Sequence, residues 1–355
     1  MNSFFYKPFN NYFMSIIASD FKTALLKLGT KFSTGNEMRM PNFGALQAVS
    51  GDTSSLLPAS EIERAKNSYR QDVELAVLAK FTATDTDTDS CTISGEGSSS
   101  AVITPSYSGY GFTIAAYPES HYGNQIGKEE KLAFDMFMGW KKVFNRLDVA
   151  SVALLEASKH ALSGESSKYF NIGTGVANYT GDLQRIYGYM PAFMKKLNLS
   201  GPYKEVANTE ALTPQLLSQA YGVYNNENRA GLNGRLAGAD NFTTYVTNNV
   251  SVGDNLDVRY VFEPGTFGML NWNRPMAVAG ARITEADTWE TIVDPFFGFT
   301  WTIHYQKACT DLSGTYEGMV ASIGEHWLIK SDFAFLEAYS SDTTQACVKF
   351  TTSEV

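Results

Sequence analysis

Basic residues are in short supply in this chain. Only 28 Lys and Arg stand against 37 Asp and Glu, a formal net charge of −9 over 355 residues. A surface dedicated to gripping nucleic acid relies on clustered Lys and Arg, so this balance argues against one, although a passive wall beside DNA stays compatible with it. Cysteine is scarcer still. Cys91, Cys309 and Cys347 lie far apart with no CxxC pair, which argues against a disulfide framework and makes reduced thiols the expectation. The four histidines, His121, His160, His304 and His326, are scattered without an HExxH pair, so no zinc site is expected. No run approaches the roughly 18 apolar residues of a membrane span. The opening MNSFFYKPFNNYFMSIIAS is broken by Lys7, Pro8, Asn10 and Asn11 and lacks a signal-peptide pattern. The expectation is a soluble protein, intracellular at synthesis, in which the sequons at Asn178, Asn198, Asn241 and Asn249 are chance matches.

Aromatic residues are abundant, with 19 Tyr and 23 Phe, which favours β-structure or broad contact surfaces. The most informative feature is a polar β-ribbon from about Val73 to Tyr117 that feeds into a long amphipathic helix from about Lys128 to Leu162. Val73, Leu75, Val77, Ala79 and Phe81 alternate as a strand requires, and the returning arm alternates at Tyr110, Phe112, Ile114 and Ala116. A helix continuing to Lys80 is the competing reading of the first arm. Between the arms, residues 82 to 100 hold four acids and no base. The helix stripe reads Leu132, Met136, Trp140, Val143, Leu147, Ala150, Leu154 and Ala157, stepping by three or four. Glu129 and Glu130 open it and Lys159 and His160 close it, matching the macrodipole, with Gly164 as the stop.

Shorter elements surround this pair. Ile16 to Leu28 has helical spacing, and Thr30 to Leu57 has no periodicity, as expected of an arm or linker. Glu61 to Arg70 suits a helix capped by Ser60. Asp182–Tyr187 and Ala192–Leu197 read as helical pieces split by Pro191. Thr213-Pro214 opens a helix to about Tyr224, and Asn225 to Asp240 is a Gly/Asn-rich loop. Tyr245, Tyr260 to Phe262 and the Pro264-Gly265 turn suggest β-structure. Phe297, Phe299, Trp301, Ile303 and Tyr305 alternate as a half-buried strand. A final pair, Trp327 to Ile329 and Phe333 to Leu336, precedes a β-prone tail ending at Phe350.

The sharpest metal-like pattern is the ribbon tip. Asp85, Asp87, Asp89 and Glu96 stand at the acidic positions of a calcium loop. Against this, Ser90 sits where the sharp turn wants glycine, Thr92 holds the apolar position, and the flanks read as strands. A solvated or partner-facing acidic tip is the favoured reading, making the same four residues candidates for an inter-subunit contact. No GxSxG elbow or phosphate loop occurs, and Gly173-Thr174-Gly175 lacks the third glycine of a dinucleotide motif. His304 and Cys309 should face opposite sides of a strand, so they do not suggest a nucleophile pair. Carboxylates such as Glu290 and Asp294 carry little weight as a glycosidase pair in a chain with 37 acids. Tyr107, Tyr110, Phe112 and Tyr117 suit cross-strand packing better than a ligand platform. No enzyme activity and no cofactor are expected.

The order of elements, with SCTISG after the acidic tip, SGYGFTI through HYGNQIG, and the helix from KEEKLAFDMF to EASKHAL, resembles the major capsid proteins of tailed bacteriophages, the Hong Kong 97-type capsid fold. In texture it is similar to those of phages infecting Bacteroidota. The resemblance implies an α+β fold with an N-terminal arm over 1–67, an extended β-hairpin loop over 68–125, and a spine helix of the peripheral domain over 126–174. An axial domain over 175–325 and C-terminal strands over 326–355 completing the peripheral domain would follow. It implies self-assembly into hexamers and pentamers of an icosahedral head, made in the host cytoplasm, enclosing double-stranded DNA, with scaffolding, portal and decoration proteins as partners and no membrane. An encapsulin-like compartment, or a virion receptor- or glycan-binding protein, is the alternative.

Overall fold

The computed structural model describes residues 40–78, 100–116, 128–162, 167–181, 186–199, 201–212, 242–284, 286–310, 322–338 and 347–353. The predicted helices over 16–28 and 213–224, the ribbon tip and the loop over 225–240 lie outside these residues. The described part is a mixture of helices and strands in two compact units. One gathers Gly109–Val143 with Asn271–Asp332; the other gathers Asn42–Ser108, Phe144–Leu270 and Phe333–Val355.

Three short helices, Gly44–Ser50, Thr53–Leu56 and Ala59–Asn67, open the described chain. The first two fall inside the stretch that reads as aperiodic, because each is too short to show a period. Gly44 is the reason the first one fits. A Cβ there would stand 2.5 Å from the Val246 carbonyl oxygen, so only glycine permits that approach. The third helix starts at Ala59 with Pro58 as its N-cap, rather than at a Ser60 cap.

The ribbon is built differently from the sequence expectation. β1 (Leu75–Leu78) pairs antiparallel with β2 (Ser100–Ile103), Leu75 opposite Ile103. Pro105 then follows, where a ladder donor is missing. The arm at Tyr110–Ala116 belongs to a separate strand, β3 (Tyr107–Ala116), which lies at the edge of a six-stranded sheet. Two glycines permit this: a Cβ on Gly111 would lie 2.5 Å from the Ile329 carbonyl oxygen, and one on Gly109 would strike the Lys330 side chain.

The long helix runs Lys128–Ala157, 30 residues. It stops short of Leu162 because the chain leaves it to form a parallel bridge from Lys159 to Cys347, with the His160 amide donating to the Cys347 carbonyl at 2.7 Å. Lys159 and His160 therefore lie beyond the helix and do not serve its dipole. In its first half Met136, Trp140 and Val143 are buried, as the stripe predicts, and Phe137 is buried beside them. Further on the buried line passes through Leu147, Asp148, Ser151, Leu155 and Ser158, leaving Ala157 exposed.

In the second unit, β4 (Phe170–Gly173), β5 (Val176–Tyr179), β6 (Tyr203–Ala207), β7 (Phe242–Val246), β8 (Asp257–Phe262) and β14 (Cys347–Thr352) form a sheet in the order β4-β5-β14-β8-β6-β7. β14 runs parallel to β5 and antiparallel to β8. The helix Ile186–Lys196 continues through Pro191 instead of breaking there. Its buried Ile186, Met190, Phe193 and Met194 pack with Phe170, Tyr203, Val261 and Phe350, and this packing overrides the lost backbone bond.

The other sheet is led by β10 (Arg282–Thr284), β11 (Asp287–Val293) and β12 (Thr300–Thr310). β13 (Ser322–Glu337) follows and then β3, with β9 (Phe267–Trp272) pairing off β13. The predicted pair Trp327–Ile329 and Phe333–Leu336 is one continuous 16-residue strand. Phe297 and Phe299 precede β12 in a turn, their rings stacked at 5.8 Å. Residues 326–355 thus supply two different sheets, since β14 inserts between β5 and β8.

Candidate interaction surface

Asp85, Asp87, Asp89 and Glu96 lie outside the described residues, as do His121, Cys91 and Tyr117. Among the described residues, no group of three His, Cys, Asp or Glu side chains is placed to hold a metal ion. Cys347 is a buried free thiol whose ionisation is suppressed by burial and by the nearby Glu337 and Glu156 carboxylates, which makes it inert. No described helix is long and apolar enough to cross a membrane.

Of the two carboxylates singled out in the sequence, Asp294 has structural work. Asp294 is buried and accepts the amides of Phe296, Phe297 and Phe299 at 2.7–2.9 Å and the Trp301 indole N–H at 3.1 Å. It clamps the turn that precedes β12 and has no lone pair left for acid chemistry. Glu290 is raised by partial burial. The aromatics of β3 pack: Phe112 meets Trp140 edge-on at 6.3 Å, and burial pushes the Tyr107 hydroxyl up to about 12.

Sequence reasoning missed a buried ionic cluster in the second unit. Arg259 is fully enclosed and binds Asp257 at 2.6 Å and Glu205 at 3.3 Å, with its guanidinium 4.8 Å above the Tyr187 ring. Thr244 and Tyr187 donate to the same Glu205 carboxylate. Burial alone lowers the Arg259 pKa, but the facing Glu205, Tyr187 and Asp257 reverse this and raise it. The signal in the sequence was DVRYVF, an acid and a base two apart within an otherwise apolar strand. Such a cluster fixes strand register rather than doing chemistry.

In the first unit one sheet face carries a stacked array. The His304 ring lies 3.9 Å from Trp289 and nearly parallel to it, with His304 Nε2 2.8 Å from Asp287 Oδ1. The Arg274 guanidinium sits 5.9 Å over the same indole. A small cavity beside it is lined by Trp272, Arg274, Trp289, Thr302, Lys330 and Asp332, among others. The same unit exposes Met276, Val278, Ile283 and Val293, and all three residues of β10, a sheet edge, are exposed. Exposed apolar side chains beside an open edge are features that contact surfaces share.

No family model and no curated sequence matches the chain. Solved structures do. A chain of the Cyanophage A-1(L) capsid asymmetric unit matches 87% of this chain and 92% of its own length at TM-score 0.50 and 10% identity. The two chains share a fold. Looser likenesses are a Mycobacterium phage Cain chain, at TM-score 0.47 and 12% identity over 89% of this chain and 92% of that one, and a chain of the Cyanophage P-SCSP1u capsid, at 0.44 and 8% over 81% and 84%. The fold assignment rests on the first alone. The α+β arrangement expected from the order of elements is therefore one this chain shares with a chain of the Cyanophage A-1(L) capsid asymmetric unit.

Proposed function

We propose that this chain is a major capsid protein of a tailed phage, a structural rather than catalytic subunit that assembles into hexamers and pentamers of an icosahedral head around double-stranded DNA. The observation that carries the reading is the fold shared with the A-1(L) capsid chain across 87% of this one. In the Hong Kong 97-type scheme, 1–67 is the N-terminal arm and 68–125 the extended loop. The helix within 126–174 is the peripheral spine and 175–325 the axial part, with 326–355 returning strands. In that scheme 326–355 completes the peripheral domain, its strands β13 and β14 lying in two different sheets. Buried carboxylates that serve as turn clamps, and an exposed apolar edge, suit a subunit whose work is contact with neighbours. Scaffolding, portal and decoration proteins are its expected partners, and the acidic residues Asp85, Asp87, Asp89 and Glu96 its proposed inter-subunit tip.

Electron microscopy of particles, with subunit quantification by mass spectrometry, tests the reading. The expected result is a shell in which this chain is the dominant protein. A few copies per particle would instead point to a receptor- or glycan-binding component, and a shell enclosing protein cargo without DNA to an encapsulin-like compartment.

A further inference from the structure

We propose that the first unit carries a carboxylate-binding site at Arg274 and the cavity beside Trp289. The site lies on one face of the sheet, where register sets Trp289 opposite His304 and His304 opposite Leu328, and in the next row Thr302 opposite Lys330. Its charges do not cancel. Lys330 is answered by Asp332 at 3.3 Å. Arg274 is exposed and its guanidinium meets the Trp289 ring, so one positive charge is left without a carboxylate partner among the described residues.

One donor is also left over. The Thr302 hydroxyl donates to Asn273 Oδ1 at 3.2 Å, and Ser331 Oγ lies 3.1 Å from the Trp272 carbonyl, so both are engaged. The Trp289 indole N–H is buried with no acceptor, and a buried donor without a partner favours any ligand oxygen that reaches it. The cavity holds about 20 Å³, room for one ligand oxygen. A planar carboxylate can lodge one oxygen there and set the other against the guanidinium fork, a geometry that Arg recognises by charge and shape together. Stacking on His304, itself held by Asp287, fixes the indole wall in advance, so little ordering is left for binding.

The carboxylate has two sources, a small free acid or an Asp or Glu side chain of a second copy of this chain. The site stands on the geometry alone; only the second source rests on the proposed shell assembly. The test uses the unassembled full-length chain with ¹⁵N-labelled tryptophan, titrated with sodium acetate against sodium chloride at matched ionic strength. The Trp289 indole resonance, assigned with Trp289→Phe, should shift and saturate in acetate. In Arg274→Gln, exposed and so harmless to folding, the affinity should fall roughly tenfold. No acetate-dependent shift, or the same midpoint in Arg274→Gln, overturns the site. Sedimentation then separates the sources. If acetate weakens self-association and Arg274→Gln does so in chloride, the group comes from a second copy. If self-association is indifferent while the resonance still shifts, the ligand is a free acid.

Discussion

Glu156 gathers three donors at once: the Lys159 ammonium at 2.5 Å, the Tyr260 hydroxyl at 2.5 Å and the Lys349 ammonium at 2.9 Å. Partial burial pushes its pKa up, but the bonds from Lys159, Tyr260 and Lys349 outweigh that and bring it from 4.5 down to about 2. A depressed carboxylate stabilises the fold above its ordinary value and loses that contribution as pH falls through the folded value. The urea midpoint of the wild type should therefore exceed that of Glu156→Gln by a constant margin above pH 4.5, and the margin should close as pH approaches 2. A margin independent of pH across that window would show that the carboxylate charge contributes nothing. Asp52, Asp148 and Asp294 follow a related pattern in which buried carboxylates serve amide donors. Asp52 holds the amides of Gly265 and Phe267, and Asp148 the Leu46 amide and the Asn249 side chain. For Asp52 and Asp148 this was not legible in the sequence, since their partners lie about 100 to 200 positions away, while Asp294 serves amides two to five positions on; any acid reads as a surface residue until its partner is placed.

The long helix shows what a sequence pattern reveals and where it stops. Its existence and start follow from apolar spacing, and Trp140, Val143 and Leu147 are buried as that spacing demands. Its later phase was misread because Asp148, Ser151 and Ser158 are polar residues on the buried face, with partners of their own: Thr247 and Leu46 for Asp148, the Leu147 carbonyl for Ser151, and Glu337 for Ser158. Hydropathy places such residues outside. Strand β3 failed in another way, as its alternation was visible but its partner was not; β13 lies over 200 residues away. Gly139 gives a test of helix packing within the first unit. A Cβ there would stand 2.3 Å from the Phe112 ring, which is braced edge-on against Trp140. Gly139→Ala gains up to about 1 kcal/mol of helix propensity, and overpacking costs about 1–3 kcal/mol. The expected net effect is a loss of about 1 kcal/mol, read from urea unfolding as a lower midpoint at unchanged slope. A more stable variant would show that Phe112 yields freely.

For the molecule as a whole, the reading as a shell subunit makes the acidic ribbon dispensable for folding and necessary for assembly. β1 and β2 carry the described part of the ribbon, and Leu75 joins a small core with Leu57, Ala65, Leu270 and Leu336. Deletion of residues 84 to 98, short of that core, should give a subunit with unchanged thermal stability that assembles poorly when followed by light scattering and electron microscopy. Intact assembly would remove the ribbon from the list of inter-subunit locks. The long helix and several strands were readable from pattern, while the mixed α+β fold followed from the resemblance carried by their order. That Met276, Val278 and Ile283 stay exposed was not readable, because apolar residues read as core until their neighbours are placed.

β14 has a consequence for timing. It is hydrogen-bonded on both sides, to β5 and β8, and the side-chain bond between Asn178 and Thr351 spans 173 positions. Until the ribosome has delivered Thr352, β5 and β8 each present an unpaired edge and the surrounding core lacks Val348 and Phe350. Contacts of such sequence separation form late, so the second unit cannot close during synthesis of its earlier strands. The pairing of β14 with β5 and β8 thereby ties the closing of this sheet to a strand more than 80 positions further along the chain than β8.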